Sequence, residues 1–300
     1  MNNKSRLFLR AQIIQSIRAF FINRGYLEVE TPVIIPAPAP EANIDAINTS
    51  RGFLQTSPEL CMKRLLAQGY KKIFQICKCF RDAERGHLHL PEFTMLEWYC
   101  ADADYFDLMD ECQGMIKYVV HELGMEEKLK YQGKVINLEG EWERLTVKDA
   151  FSRFTGTTPE EAFESGNFDE IMVAEIEPGL NIGRPVFLYN YPISQAALSR
   201  ISEDDQDVAE RFELYMGGLE LANAFSELID VDEQRERFLK ATENRKKTGK
   251  TAYPFPEKFI NDLELMPPSA GIAFGVDRLI MILTDSATID EVVTFTPEKL

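Results

Sequence analysis

The sequence predicts an α+β fold in which a largely antiparallel sheet is flanked by helices. Short segments of strand pattern alternate irregularly with amphipathic helical segments. Two of the strand segments meet at Gly217-Gly218, a pair typical of two-residue turns between antiparallel strands. The strands do not alternate one by one with helices, as they would in a doubly wound parallel fold. The chain has 300 residues, 45% of them hydrophobic and 27% charged, which is enough to bury a large core.

The N-terminal part begins with a predicted helix over 6–24, because Ile13, Ile17 and Phe21 recur at helical spacing and Gly25 suits its end. The proline-alternating stretch 36–40 predicts an extended connection. The remaining elements expected in this part are a strand over 26–30, a helix over 58–68, strands over 73–80 and 92–99 joined by a polar loop over 82–89, and a helix over 104–123.

The C-terminal part begins with 126–180, the stretch with the weakest pattern. There, Thr146 and Asp149 resemble a capping box that begins a short helix ending near Phe154. The remaining elements expected are a strand over 185–191, a helix over 205–210, two strands within 211–228, a charged helix over 232–248, and a glycine-containing strand that leads into an apolar helix over 270–284.

Composition excludes several classes of function. The net charge is 33 − 49 = −16, which argues against a general nucleic-acid binder because such proteins neutralise phosphates with Lys and Arg. The five cysteines form no C-x-x-C pair, so we expect free thiols in a reducing compartment and no zinc ribbon. The N-terminus has no signal-peptide pattern and no run of 18 apolar residues exists, so a cytoplasmic protein is expected, with no membrane partner.

The predicted hairpin around Gly217-Gly218 places two carboxylates on the same face of the sheet. Regular pairing would place Tyr215 opposite Glu220 and Glu213 opposite Ala222. Glu213 and Glu220 would then be diagonal neighbours on one face, about 7–8 Å apart at Cα. Such a pair can bind one divalent cation such as Mg²⁺, and a solvated polar face is the alternative interpretation.

A second glycine-containing segment lies near the C-terminus. Gly271 and Gly275 allow a ligand or another backbone to approach a strand closely, and Arg278 follows in the first turn of an apolar helix. The spacing matches neither a P-loop nor a G-x-G-x-x-G fingerprint. Glycines that serve packing alone are the alternative.

Three separated segments resemble the class II aminoacyl-tRNA synthetases. Residues 24–32 resemble motif 1, Phe80-Arg81-Asp82-Ala83-Glu84 with 89–93 resembles motif 2, and 271–278 resembles motif 3. Residues 56–60, 91–99 and 220–228 resemble the lysine-specific branch, and the resemblance covers about 6–295. It implies a single catalytic domain over 1–300, an adenylate-forming ATP-dependent ligase, and a homodimer formed through the motif 1 region.

Lysyl-tRNA synthetases carry an anticodon-binding OB-fold before this domain, whereas only 31 residues precede Pro32 here. The chain therefore resembles the free-standing paralogues that load an activated (R)-β-lysine onto a lysine of elongation factor P, and tRNA is not the expected substrate. Two alternatives stay open: a minimal enzyme that charges tRNA, and a non-catalytic paralogue that binds an amino acid and regulates an enzyme.

The resemblance also implies roles for individual residues. Arg81 and Arg278 would be catalytic, Arg81 bridging the substrate carboxylate and the α-phosphate and Arg278 at the γ-phosphate of a bent ATP. Residues implied in ATP binding are Arg81, Asp82, Ala83, His89, Leu90, Phe93, Glu220, Leu221, Asn223, Gly275 and Arg278. Those implied in binding the amino acid are Ser57, Pro58, Glu59, Glu97, Tyr99, Glu227 and Ala273. Glu213 and Glu220 would hold Mg²⁺.

Three positions depart from the synthetase pattern. Glu84 lies one residue later than the usual motif 2 glutamate, and Leu90 stands where those enzymes have Asn. Ala273 replaces a Gly of motif 3, and its methyl group would crowd an α-amine, which favours β-lysine. The implied roles of Asn223 and Glu227 require a β-bulge near 222–224, because strict alternation from Glu220 points them to the opposite face.

The basic cluster 245–247 is one candidate docking surface for the protein partner, with a solvated helix end as the alternative.

Overall fold

A computed structural model describes residues 3–180 and 183–300. The strands are β1 (Leu27–Glu28), β2 (Ile34–Ile35), β3 (Asn48–Thr49), β4 (Gly52–Leu54), β5 (Lys72–Phe80), β6 (Glu92–Ala101), β7 (Lys128–Tyr131), β8 (Lys134–Asn137), β9 (Glu143–Thr146), β10 (Val186–Pro192), β11 (Val208–Met216), β12 (Leu219–Ser226) and β13 (Ser269–Gly275). The helices are α1 (Asn3–Asn23), α2 (Glu59–Ala67), α3 (Tyr105–Glu122), α4 (Val147–Phe154), α5 (Pro159–Glu164), α6 (Phe168–Ile171), α7 (Glu177–Gly179), α8 (Val231–Lys247), α9 (Glu257–Leu263) and α10 (Val276–Leu283).

An eight-stranded sheet forms the centre of the molecule, in the order β1-β5-β6-β13-β12-β11-β10-β9. Pairing is antiparallel from β5 through β10, and only the edge strands β1 and β9 pair in parallel with their neighbours. The predicted α+β fold is confirmed.

The two faces of the sheet serve different purposes. Leu96 and Trp98 of β6 join α1, α3 and α10 in the main hydrophobic core. Glu97 and Tyr99, which alternate with them along the strand, line a cavity on the opposite face. Helices α2, α8 and α9 pack together beside that cavity in a separate apolar cluster.

Most predicted elements are confirmed within a few residues, but the helix expected over 205–210 is wrong. This stretch is a turn followed by the start of β11 at Val208. Asp207 donates its N–H to Asp205 Oδ1 at 3.1 Å, a local hydrogen bond that favours a turn over a helix. The strand expected over 26–30 is shorter, at Leu27–Glu28, and α9 and the β7–β8 hairpin were not predicted.

The Gly217-Gly218 turn is confirmed, with φ of 63° and 85° at its two residues. Tyr215 pairs with Glu220 as predicted, but the pairing of Glu213 with Ala222 is wrong because Glu213 pairs with Asn223. An irregularity at Leu221 adds one residue to β12.

The bulge at Leu221 reverses the alternation of the strand beyond it. Asn223, Phe225 and Glu227 therefore face the cavity together with Glu220. The bulge that the synthetase roles require is present, just before the stretch 222–224 where it was expected.

All five cysteines are free thiols, as expected. Among the helices in the described part of the chain, none combines the length and the apolarity needed to cross a membrane.

Candidate active site

The cavity has a volume of about 270 Å³ and lies over β6, β12 and β13. Most of the predicted site residues line it: Ser57, Glu59, Arg81, His89, Leu90, Phe93, Glu97, Tyr99, Glu220, Leu221, Asn223, Glu227, Ala273, Gly275 and Arg278. Pro58, Asp82, Ala83 and Glu213 are not among its lining residues. The fold thus brings together residues that are separated by more than 200 positions in the sequence.

One end of the cavity is rich in carboxylates. Glu97 is 1% exposed and accepts hydrogen bonds from Ser57 Oγ at 2.6 Å and from Tyr99 OH at 2.8 Å. Burial raises the pKa of Glu97 well above its ordinary value, and the nearby charge of Glu59 adds to this rise. A cationic ligand would relieve both effects.

A buried lysine lies at the same end and was missed by the sequence reasoning. Lys63 of α2 is 1% exposed, and its Nζ lies 2.5 Å from Glu59 Oε1 and 2.6 Å from Glu227 Oε2. Burial raises the pKa of Glu227 to about 8, although Lys63 opposes the rise. Glu227 Oε1 is buried and has no hydrogen-bond partner among the described residues.

Gly271 forms the floor of this end because no side chain fits there. A Cβ at this position would lie 2.2 Å from Tyr99 Cε1 and 2.4 Å from Glu227 Oε1. The absence of a side chain therefore allows Tyr99 and Glu227 to pack directly over β13. The close approach expected at this glycine is made by the protein's own side chains.

The other end of the cavity carries two guanidinium groups. Arg278 Nη1 donates to the Glu220 carbonyl oxygen at 2.6 Å, and its Nη2 lies 2.8 Å from His89 Nε2. The Arg81 guanidinium lies 5.1 Å from the centre of the Phe93 ring, and its buried Nε has no hydrogen-bond partner in the described structure. This arrangement suits a ligand whose anionic groups lie beside the two guanidinium groups and whose cationic groups lie beside the carboxylates.

The surroundings of His89 favour its neutral form. Burial lowers the pKa of its imidazole, and the positive charge of Arg278 lowers it further. A neutral ring can accept a hydrogen bond from Arg278 while the guanidinium keeps its full charge.

The two predicted metal ligands lie in different surroundings. Glu213 accepts hydrogen bonds from Tyr191 OH and Tyr215 OH, both at 2.7 Å, and from Arg211 Nη2 at 2.6 Å. Glu220 lines the cavity, and burial followed by the charge of Glu213 raises the pKa of its carboxyl group. Their mutual repulsion fits a cation between them, but the described residues contain no ready-made cluster of three or more metal ligands.

The remaining predicted residues lie beside the cavity. The N–H of Asp82 donates to the Asp45 carbonyl oxygen at 2.7 Å, and the N–H of Ala83 donates to Asp82 Oδ1 at 2.9 Å. Ala83 adopts a left-handed conformation with φ of 60°. Pro58 is the N-cap residue of α2 and so positions Glu59 at the start of that helix.

Comparison with known proteins agrees with this geometry. A family model described as tRNA synthetases class II (D, K and N) matches residues 1–299. The chain belongs to the class II tRNA synthetases.

Class II synthetase relatives of two kinds are similar to this chain. A protein of Edwardsiella ictaluri named elongation factor P–(R)-β-lysine ligase is 38% identical over 98% of this chain and 96% of its own length. A protein of the same name from Baumannia cicadellinicola is 39% identical over 96% of this chain and 94% of its own length. A lysine–tRNA ligase of Magnetococcus marinus is 37% identical over 97% of this chain, which spans 63% of that relative's length.

In this class II synthetase, a buried ion pair connects motif 3 to the N-terminal helix. Asp277 Oδ1 accepts from Arg10 Nη1 at 2.6 Å, and its Oδ2 accepts from the Thr94 N–H at 2.7 Å. Arg10 also donates to Thr94 Oγ1 at 2.8 Å. These contacts fix the start of α10, and with it Arg278, against β6.

The loop after the proline stretch covers part of the synthetase cavity and is held by Arg245. This side chain is 1% exposed and donates to the carbonyl oxygens of Glu41 at 2.6 Å and Ile44 at 2.9 Å. Arg245 therefore does not belong to an exposed docking surface, and that interpretation of the cluster 245–247 is wrong for this residue.

Local sequence gave little signal for the residues that were missed. Lys63, Glu41 and Arg211 look like ordinary charged residues in a helix, a loop and a strand. A lysine four positions after a predicted substrate-binding glutamate is the one available clue, because residues at that spacing meet on a helix surface.

Proposed function

We propose that this protein is an ATP-dependent ligase that activates (R)-β-lysine as an adenylate and joins it to a lysine side chain of elongation factor P. The observation that carries the proposal is the polarity of the cavity, with two guanidinium groups at one end and buried carboxylates at the other. Lysine isomers have two ammonium groups and one carboxylate, which matches that arrangement. The relatives named elongation factor P–(R)-β-lysine ligase support the choice of substrates.

In the first step, a carboxylate oxygen of the amino acid attacks the α-phosphorus of ATP, and pyrophosphate leaves. Arg81 holds the carboxylate beside the α-phosphate, because a planar guanidinium can bind both groups at once. Arg278 neutralises the γ-phosphate, and Phe93 stacks under the adenine. These residues act by orientation and charge, since the attacking carboxylate is already ionised at neutral pH.

In the second step, the amine of the target lysine attacks the activated carbonyl carbon. An amide bond forms, AMP leaves with the bonding electron pair, and the amine loses a proton. The cavity needs only to keep the adenylate away from water until the protein partner arrives.

The carboxylate end would select the amino acid. We assign Glu97, Tyr99 and Glu227 to the distal ammonium group and Glu59 to the amine near the carboxyl group. Ala273 pairs with Glu97 and Asn223 across the sheet, so its methyl group lies on the floor between them. This methyl group disfavours an α-amine and supports β-lysine.

Mg²⁺ would enter with the nucleotide. Glu220 offers its carboxylate at the phosphate end, with Glu213 behind it, and the phosphates would supply further oxygen ligands. The cation would neutralise charge on the phosphates, and Arg211 would keep Glu213 in place.

A homodimer is also part of the proposal. Leu27 in motif 1, and Val33 and Ile34 directly after it, are 49%, 42% and 46% exposed. Exposed apolar side chains in this part of the chain favour burial against a second copy of the chain.

The experiment is intact-mass measurement of elongation factor P after incubation with the enzyme, ATP and either lysine isomer. We expect one added lysyl residue, formed faster with (R)-β-lysine than with α-lysine. The reverse preference would refute the substrate assignment, and an unmodified partner with both isomers would refute the proposed function.

Charging of tRNA is the second candidate, favoured by the 37% identity to a lysine–tRNA ligase. The same preparation incubated with tRNA, ATP and α-lysine distinguishes the two, since our proposal predicts no acid-stable aminoacyl-tRNA. The third alternative, a non-catalytic regulatory paralogue, is disfavoured because Arg81 and Arg278 both line the cavity.

A further inference from the structure

Glu41 lines the cavity but has no assigned role. Its main chain is fixed, because its N–H donates to the Ala39 carbonyl oxygen at 2.9 Å and its own carbonyl oxygen accepts from Arg245 at 2.6 Å. Its carboxylate makes no hydrogen bond or ion pair with any residue in 3–180 or 183–300. The backbone is therefore held while the charged group is left free.

The surroundings of this carboxylate are those of the cavity. The charged groups that act most strongly on it are Glu59, Arg81, Arg211 and Lys63. Burial, followed by the charge of Glu59, raises the pKa of Glu41 to about 7. An anion placed here without a cation is costly, so the position favours a positively charged ligand.

The other carboxylates at this end already have partners. Glu59 and Glu227 share Lys63, and Glu97 accepts hydrogen bonds from two hydroxyl groups. Neither oxygen of the buried Glu227 carboxylate has a hydrogen-bond partner among the described residues, and since Oε2 is the oxygen that pairs with Lys63, Oε1 is left without any partner. The cavity thus has two unsatisfied acceptors, one on Glu41 and one on Glu227, for the two ammonium groups of a lysine isomer.

We infer that Glu41 is a further substrate-binding residue, whose carboxylate receives the ammonium group nearer to the substrate's carboxyl group. This inference rests on the proposed function, in which Arg81 binds that carboxyl group. The loop that carries Glu41 lies against the segment that carries Arg81, because the Asp82 N–H donates to the Asp45 carbonyl oxygen at 2.7 Å, and Glu41 and Arg81 both line the cavity. Glu41 therefore shares with Glu59 the recognition of the amine whose position distinguishes α- from β-lysine.

The test compares wild type with Glu41→Gln in pyrophosphate exchange. We expect the KM for (R)-β-lysine to rise by about tenfold or more, with kcat within about threefold. The reason is that the lost contact binds the substrate equally well in the ground state and in the transition state. The inhibition constant of ε-aminocaproate, which lacks the nearer amine but keeps the carboxylate and the distal ammonium, should stay within about twofold. Glu41→Asp should restore part of the affinity.

Glu164→Gln, an exposed glutamate on α5, is the matched control and should behave like wild type. Equal weakening of both ligands by Glu41→Gln, or no weakening of either, would overturn the inference. If the wild type gives no exchange with any lysine isomer, the proposed function fails instead. Calorimetric binding of (R)-β-lysine and ε-aminocaproate to both proteins would then still decide the role of Glu41.

Discussion

Lys63 shows how one buried residue determines the electrostatics of the cavity. Its ammonium group lies between Glu59 and Glu227, and all three side chains are shielded from water. Desolvation penalises each charge, and the attraction among them offsets that penalty only while all three are present. The pKa of Lys63 is accordingly raised by these two carboxylates, in spite of its burial.

We expect Lys63→Met to destabilise the protein by about 3–5 kcal/mol, because it leaves two neighbouring carboxylates without their cation. Urea unfolding at pH 7.5 measures the loss. Lys240→Met is the matched control, since Lys240 also pairs with a glutamate four positions earlier but is 72% exposed. That variant should lose no more than about 1 kcal/mol. Equal losses in the two variants would contradict this account.

Arg81→Lys tests the proposed contact with the carboxylate and the α-phosphate. Lysine keeps the charge but loses the planar, two-sided geometry, so we expect pyrophosphate exchange to fall by about 100-fold or more. Thermal unfolding should change little, because the ion pair of Arg81 with Glu84 is long at 3.8 Å. Arg153→Lys, an exposed arginine paired with Glu143, should keep full activity. Normal exchange in Arg81→Lys would rule out the assigned role.

Ala273→Gly tests the proposed origin of a preference for β-lysine over α-lysine. Removing the methyl group makes room for an α-amine, and one methyl group in a pocket changes selectivity by about tenfold or more. We expect the ratio of kcat/KM for α-lysine to that for (R)-β-lysine to rise by this factor, with the KM for ATP unchanged. An unaltered ratio would remove Ala273 from the explanation.

At the scale of elements, β12 and β13 build the cavity by two departures from regular strand structure. The bulge at Leu221 turns Asn223 and Glu227 toward the cavity, and the missing side chain at Gly271 lets Tyr99 and Glu227 lie flat against the sheet. Sequence patterning predicted the hairpin, because Gly217-Gly218 and the alternating apolar residues are strong local signals. It predicted the need for a bulge only through the family resemblance, because nothing in the residues around Leu221 marks an extra position.

We expect Gly271→Ala to damage the amino-acid end of the cavity selectively. The added Cβ would overlap Tyr99 and Glu227, so these side chains must move. The KM for (R)-β-lysine should rise by about tenfold, because a displaced carboxylate binds an ammonium group poorly. The KM for ATP should stay close to that of wild type. Gly156→Ala, where nothing lies within 4 Å of the added Cβ, is the control. A larger effect on ATP than on lysine would contradict the placement.

At the scale of the whole molecule, the sheet divides the chain into a face that stabilises the fold and a face that holds the cavity. Alternation along strands such as β6 is visible in the sequence, which is why the fold class and the core were predictable. The contacts that complete the cavity join distant segments, such as Arg10 with Asp277 and Glu41 with Arg245. Pairings over such distances leave no local pattern, so Lys63, Glu41 and Arg211 emerged only from the structure.

The raised pKa values of the cavity's carboxyl groups predict how the stability of the protein depends on pH. Folding raises the pKa of Glu41 from an ordinary 4.5 to about 7, and burial raises the pKa of Glu97 as well. Between about pH 4.5 and pH 7 the folded state therefore binds more protons than the unfolded state. The free energy of unfolding must then fall as the pH rises through this range. His89 acts in the opposite direction, because its pKa is lowered, but it is one group against several.

We expect urea unfolding without ligand to give a free energy lower by about 2 kcal/mol or more at pH 8 than at pH 5.5. Glu41→Gln should reduce this slope, since its amide does not titrate. Stability that is constant or rising over the same range would show that these carboxylates are not held in the protonated form.

The contacts of Arg245 constrain how this scaffold can be re-engineered. Its guanidinium donates hydrogen bonds to Glu41, Ile44 and Asp45 in the loop, although 204 positions separate Arg245 from Glu41. A chimera that received only the loop containing Glu41, Ile44 and Asp45 would lack the Arg245 guanidinium that holds this loop. In the protein from which the loop was removed, Arg245 at the end of α8 would lose its hydrogen-bond acceptors. Grafting new selectivity onto a homologous enzyme thus requires exchanging both pieces as a single cassette.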